Sequence, residues 1–162
     1  MIEVLTGNLL RSAASAHVNT VNTVGVMGAG IARQFREAYP AMYRSYQEAC
    51  RRGDVRIGQM YLFDRGPTLT RPRWIINFPT KQHWRAPSQL AYLEQGLEDL
   101  VRHIRALALP SIALPALGCQ NGGLAWSVVE PLIQRALAPL VDVQVQLYRP
   151  ITGGPIQQDH TR

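Results

Sequence analysis

The chain has 162 residues, 46% of them hydrophobic and 17% charged, with a formal net charge of +6. That length suffices for one domain with its own core, and Cys50 and Cys119 are too few for a disulfide framework. No apolar stretch is long enough to span a membrane as a helix and no secretory signal opens the chain, so a reduced, cytoplasmic setting without membrane partners is expected.

Ile2 to Thr6 and Ala16 to Thr20 read as strands. Ile31 to Arg51 has helical spacing through Ile31, Phe35, Tyr39, Met42 and Tyr46, with Pro40 dividing it into two helices in tandem. Gln59 to Phe63 and Arg73 to Phe78 are strand candidates, joined through the turn chemistry of Gly66-Pro67 and Arg71-Pro72. The clearest helix runs from Ser88 to Leu107, with Leu90, Leu93, Leu97, Leu100, Val101, Ile104 and Leu107 on one face. Ser111 to Leu114 gives a short strand, Trp126 to Ala138 a helix and Val143 to Tyr148 a last strand. Strands alternating with helices predict a three-layer α/β domain over residues 1–149, and residues 150–162 read as a disordered tail or the start of a linker.

The positive balance suits an anionic partner such as nucleic acid, nucleotide or phosphate, or serves solubility alone. Sixteen of the seventeen basic residues are arginine and one, Lys81, is lysine. Arginine keeps its charge, whereas a lysine amine can give up its proton and act as nucleophile or base. Lys81 ends the apolar run from Trp74, at a strand end where α/β sheets bind ligands; survival by chance in an arginine-biased composition is the plain alternative. Two glycine-rich segments each sit between a strand and a helix. The first includes Asn19, Asn22, Gly28, Ala29, Gly30 and Ile31, the second runs Gly118-Cys119-Gln120-Asn121-Gly122-Gly123-Leu124, and together they form two walls for an anionic ligand such as a diphosphate, or are simply connectors. The first has the spacing of neither a Rossmann dinucleotide site nor a P-loop. Cys119 reads as a small filler rather than a nucleophile, and the scattered His17, His83, His103 and His160 give no metal-ligand spacing, so neither metal nor cofactor is expected.

Asn19 and Asn22, the run Met27-Gly28-Ala29-Gly30-Ile31-Ala32 and the Gly118 to Leu124 loop together resemble the macrodomain, the ADP-ribose-binding fold with a central mixed sheet flanked by helices. Phe78-Pro79-Thr80-Lys81-Gln82-His83-Trp84-Arg85 is similar to the DarG-like branch of DNA ADP-ribosyl glycohydrolase antitoxins, related to terminal ADP-ribose protein glycohydrolase. The resemblance implies an ADP-ribosyl glycohydrolase that removes ADP-ribose from DNA bases, thymidine first, against a DarT-like toxin. It places Asn8 and Leu9 near the adenine, Gly28 to Ile31 around the diphosphate and distal ribose, Thr80 and Gly118 to Leu124 along the pocket, Asn22 at the distal ribose and Lys81 at its anomeric carbon. Where the related protein glycohydrolase carries an Asp in the second loop, this chain reads Gln120-Asn121-Gly122-Gly123, without a carboxylate. Branch members also carry a toxin-binding domain, for which this chain is too short, and a monomer is expected.

Glycosidic cleavage builds positive charge at the anomeric carbon, and most such hydrolases meet it with carboxylates. Lys81 would instead attack as a neutral amine or, charged, assist departure of the base; both routes need it. His83, Trp84 and Arg85 follow, where a modified nucleic acid would lie: Trp84 can stack on a base and Arg85 can meet phosphate, unless the Trp merely anchors its own loop. The rival readings are a non-catalytic ADP-ribose-binding module and a hydrolase of protein-linked ADP-ribose or of O-acetyl-ADP-ribose.

Overall fold

A computed structural model describes residues 1–67 and 70–151. In chain order these form β1 (Ile2–Leu5), a 3-10 turn (Leu9–Arg11), β2 (Ala16–Asn22), α1 (Gly30–Ala38), α2 (Pro40–Arg51), β3 (Tyr61–Asp64), β4 (Trp74–Lys81), α3 (Leu90–Ala106), β5 (Ser111–Leu114), α4 (Trp126–Leu137) and β6 (Gln144–Tyr148). The strands make one sheet in the order β1-β6-β5-β2-β4-β3, parallel throughout except for antiparallel β3 on β4. The expected three-layer α/β architecture with a mixed sheet is therefore present.

Strand alternation sends successive side chains to opposite faces, and each face has its own core. On one side Val18, Ile76, Phe78 and Ile112 meet Leu93, Leu97, Leu100 and Ile104 of α3 and Val129 and Ile133 of α4. On the other, Val21, Ile75 and Ala113 meet Phe35 of α1 and Met42 and Tyr46 of α2. Gly96 explains how closely α3 approaches the sheet: a Cβ there would lie 2.3 Å from Phe78 Cζ, so only glycine leaves room for the ring.

Several boundaries differ from the sequence reading, among them β2, which runs on to Asn22 rather than ending at Thr20. β4 continues past Phe78 through Pro79 to Lys81, because Pro79 lies beyond the end of β3, where β4 has a single neighbour and a missing N–H is tolerated. β3 begins at Tyr61 rather than Gln59, since the Met60 N–H turns to the Asp99 carboxylate at 2.7 Å. The turn at Leu9–Arg11 was not foreseen; Asn8 caps it by accepting from the Leu10 N–H. Of the expected tail, Pro150 and Ile151 are described and line the ligand cleft, while residues 152–162 lie outside the described residues.

Candidate active site

All five parallel strands end on the same side of the sheet, where their last residues and following loops line one cleft of about 1020 Å³. Ligands bind beyond the carboxyl ends of strands in such sheets, and the volume is at the upper end of the usual ~300–1,000 Å³ for ligand clefts. Asn8 and Leu9 stand at one end, and Thr80, Lys81, Trp84 and Arg85 at the end of β4.

Two glycine-rich walls face each other across the opening. Gly28, Ala29, Gly30 and Ile31 form the first, where α1 starts without a side-chain cap and its first N–H groups suit an anion. Gly30 has φ +58°, and a Cβ on it would come 3.3 Å from Asn121 Nδ2 of the opposite wall. That second wall is Gly118, Cys119, Gln120, Asn121 and Gly122. It is held from behind: the Ser88 N–H donates to the Gly122 carbonyl at 3.0 Å and the Leu124 N–H to the Gly118 carbonyl at 2.9 Å. At Gly122 a Cβ would fall 2.3 Å from Ser88 Oγ and 2.4 Å from the Gly118 oxygen, so this glycine is required by the protein itself. Among the described residues, the charged ones lining the cleft are Lys81, Arg85 and Arg149, and none is acidic. The charged side chains and the α1 N-terminus therefore favour an anionic ligand.

Lys81 and Asn22 are brought side by side by sheet register. They pair across β4 and β2 after an irregularity that follows the Val21–Pro79 pair. Burial lowers the Lys81 pKa from its ordinary 10.5, and its Nζ donates to the Trp84 carbonyl at 3.4 Å. The Asn22 side chain is largely committed to scaffolding. Its Oδ1 accepts from the N–H groups of Val24, Gly25 and Val26 at 3.1, 3.1 and 3.3 Å, and the buried Tyr46 hydroxyl lies 2.9 Å from the same oxygen. Its Nδ2 donates to the Val26 carbonyl at 2.7 Å, which leaves one hydrogen for a ligand. Asn22 thus organises the loop beside Lys81 while it lines the cleft.

Of the other expected site residues, Asn19, His83, Gly123 and Leu124 do not line the cleft, whereas Asn8, Trp84, Arg85 and Cys119 do. Asn19 is fully buried beneath the cleft, its Nδ2 donating to Asn77 Oδ1 at 3.1 Å, because its strand position points it into the sheet's core. Gly123 and Leu124 close the second loop rather than line the opening, and the Leu124 side chain packs into the core. His83 turns to its own loop: its Nδ1 accepts from the Arg85 N–H at 3.1 Å and its ring stacks on Trp84 at 5.3 Å. The Arg85 guanidinium lies 4.4 Å over the same Trp84 ring, which is nonetheless 45% exposed. The Asn8 side-chain oxygen Oδ1 already accepts from the Leu10 N–H at 3.0 Å, so the side chain offers a ligand its amide hydrogens and one remaining lone pair. Cys119 lines the cleft, with burial pushing its thiol up to about 11, and a thiol so protonated is a poor nucleophile. Among the described residues no group of three or more His, Cys, Asp or Glu could hold a metal ion.

Val26, Gln34, Tyr148 and Arg149 also line the cleft and were not singled out from sequence. Arg149 carried a signal, a cation directly after the last strand; the others became neighbours only through topology.

A cleft of this form, between two glycine-rich loops at the strand ends of a three-layer α/β fold, suits a ligand that carries anionic groups. The macrodomain family model matches residues 18–133, and the chain belongs to that family. Among individual relatives, it is 54% identical over 151 residues to a DNA ADP-ribosyl glycohydrolase of Thermus aquaticus, covering 93% of this chain and 42% of the relative. The macrodomain of Mycobacterium tuberculosis DarG superposes with a TM-score of 0.91 at 53% identity, covering 93% of this chain and 99% of that one. Thermosipho africanus DarTG, solved in complex with ADP-ribose, gives 0.88 at 35% identity over 97% of this chain and 44% of that one. This chain spans less than half the length of the curated DNA ADP-ribosyl glycohydrolases it matches.

Proposed function

We propose that this macrodomain hydrolyses the glycosidic bond between ADP-ribose and a DNA base, thymidine being the expected target, and so reverses a DNA ADP-ribosyltransferase toxin. The observation that carries the reading is a cleft whose charged lining is wholly cationic, with Lys81 set beside Asn22 at the strand ends. The name of the Thermus relative and the DarG macrodomain likeness support the DNA-linked substrate. A Thermosipho relative that joins transferase and glycohydrolase in one chain supports the toxin as partner.

In this reading the α1 N-terminus and the Gly118 to Gly122 loop hold the diphosphate, with Asn8 and Leu9 at the adenine, and the distal ribose reaches Lys81. Without a carboxylate in the lining, two roles are open to the lysine. As a neutral amine, Nζ forms a bond to the anomeric carbon while the base leaves with the electrons of the broken glycosidic bond; water then releases the ribose. As an ammonium, it stabilises the negative charge developing on the departing base while water attacks. Burial favours the first and an incoming diphosphate the second. Arg85 and Trp84 would meet the nucleic acid flanking the base, the Trp84 ring already carrying Arg85 as a neighbour. The domain is proposed to work as a cytoplasmic monomer; no helix among the described residues is long and apolar enough to cross a membrane.

The test is to incubate the protein separately with an ADP-ribosylated thymidine oligonucleotide, with ADP-ribosylated protein and with O-acetyl-ADP-ribose. Release from the oligonucleotide alone is expected. Binding of ADP-ribose without release from any substrate would make this a reader, and release from protein alone would reassign the linkage.

A further inference from the structure

The segment after Lys81 carries hydrogen bonds of its own. The Arg85 N–H donates to His83 Nδ1 at 3.1 Å, the Ala86 N–H to the His83 carbonyl at 3.0 Å, and Lys81 Nζ to the Trp84 carbonyl at 3.4 Å. A side-chain hydrogen bond ties this segment to another part of the chain: Thr23 Oγ1 donates to the Gln82 carbonyl at 2.7 Å. Thr23 directly follows Asn22, in the loop whose three successive N–H groups converge on the Asn22 side-chain oxygen. Tyr46, fully buried on α2, donates to the Asn22 backbone carbonyl at 2.6 Å and fixes that loop to the core. A firmly seated loop is thereby bonded to the segment that carries the Trp84 carbonyl.

The consequence falls on Lys81. Its backbone is fixed by pairing with Asn22, but four rotatable bonds separate that backbone from the amine, whose one hydrogen-bond partner among the described residues is the Trp84 carbonyl. The place of that carbonyl depends on where residues 82–86 sit, and hence on the Thr23 tether. We propose that Thr23 is a positioning residue for Lys81, acting through the Gln82 and Trp84 carbonyls to hold the amine at its reacting position. This rests on the reading of Lys81 given above. A misplacement of about 1 Å near a reacting centre costs up to ~10²-fold in rate, so loss of a single tether should cost about tenfold. The same tether keeps the amine against its own loop, and burial there is the cause of its lowered pKa.

The experiment compares wild type, Thr23→Val, Thr23→Ser and Lys81→Ala in single-turnover release of ADP-ribose from an ADP-ribosylated thymidine oligonucleotide across pH, with calorimetry of free ADP-ribose on each. Thr23→Val keeps the shape and removes the hydroxyl; it should slow release about tenfold, hold ADP-ribose affinity within about twofold and move the pH–rate profile upward as the amine becomes less buried. Thr23→Ser should recover most of the rate. Wild-type rate and profile in Thr23→Val, equal losses in the Val and Ser variants, or a parallel fall in rate and ADP-ribose affinity would each overturn the proposal. Near-wild-type turnover by Lys81→Ala would bring down the underlying reading of the lysine, whereas an inactive Lys81→Ala beside a fully active Thr23→Val would bring down the tether alone.

Discussion

Lowering the pH from 7.5 to 4.5 should destabilise the domain by about 2–3 kcal/mol, through a residue that takes no part in the cleft. His17 on β2 is fully buried, with Nε2 against the Ser12 carbonyl at 2.9 Å, Phe35 edge-on at 6.4 Å, and no hydrogen-bond partner for Nδ1. Burial, with a smaller contribution from the Arg65 charge, pushes its pKa from 6.5 down to about 4 against the opposing pull of the Ser12 carbonyl. The unfolded chain therefore takes up a proton below pH 6.5 that the folded chain refuses. Stability is full above 6.5 and falls as pH drops toward about 4; a displacement from 6.5 to about 4 corresponds to about 3 kcal/mol. Asp64, ion-paired with Arg73 and held at about 2, loses its contribution only below the ordinary carboxylate range and leaves this window clear. Urea unfolding of wild type and His17→Gln at pH 7.5, 6.5, 5.5 and 4.5 checks it. The variant should be offset at pH 7.5 yet show a flatter decline; two parallel curves would refute the reasoning.

The two glycine walls should respond differently to a side chain. Gly28 is exposed, with only Val26 Cγ1 at 3.5 Å from an added Cβ, so Gly28→Val should abolish ADP-ribose binding in calorimetry while leaving thermal unfolding unchanged. Gly122→Ala should instead lose about 1–3 kcal/mol of stability, because its Cβ overlaps Ser88 Oγ and the Gly118 oxygen, and a normally stable variant would contradict the geometry. Tyr46→Phe removes the hydroxyl that donates to Asn22 and should cost about 1–2 kcal/mol together with slower ADP-ribose release; retained stability in denaturant melts would show that Asn22 holds its loop unaided. Affinity for modified oligonucleotide should fall as salt rises, and Trp84→Ala with Arg85→Ala should weaken both the affinity and the salt slope; an unchanged slope would move the nucleic-acid surface elsewhere.

The architecture was legible because the signals were local. Pro40 at the first turn of α2 split the tandem helices, and the leucine face of α3 stood out in the sequence alone. The strand ends were less legible: the candidate strand ended at Phe78, whereas β4 continues through Pro79 to Lys81, which the shortness of β3 allows. At the site, the glycine loops and the lone lysine were visible because their chemistry is written in residue type. What sequence could not tell was which polar groups were already engaged. Asn19 and Asn22 look alike three residues apart, yet one bonds to Asn77 in the core and the other ties down a loop, a difference set by pairing partners distant in the chain. The stacking of His83 and Arg85 on Trp84 was likewise hidden, since three adjacent residues can face outward or toward each other.

The most direct test of the account is the rate of ADP-ribose release from an ADP-ribosylated thymidine oligonucleotide by Lys81→Arg and Lys81→Ala. Lys81→Arg keeps the charge but removes the accessible neutral amine, and Lys81→Ala removes both. Both should bind ADP-ribose, and Lys81→Ala should lose at least about 10³-fold in single-turnover rate. A matching loss in Lys81→Arg identifies the amine as nucleophile, while partial rescue identifies charge. Near-wild-type release by Lys81→Ala, in a protein that still binds ADP-ribose, would contradict the assignment of Lys81 and with it the proposed chemistry of the cleft.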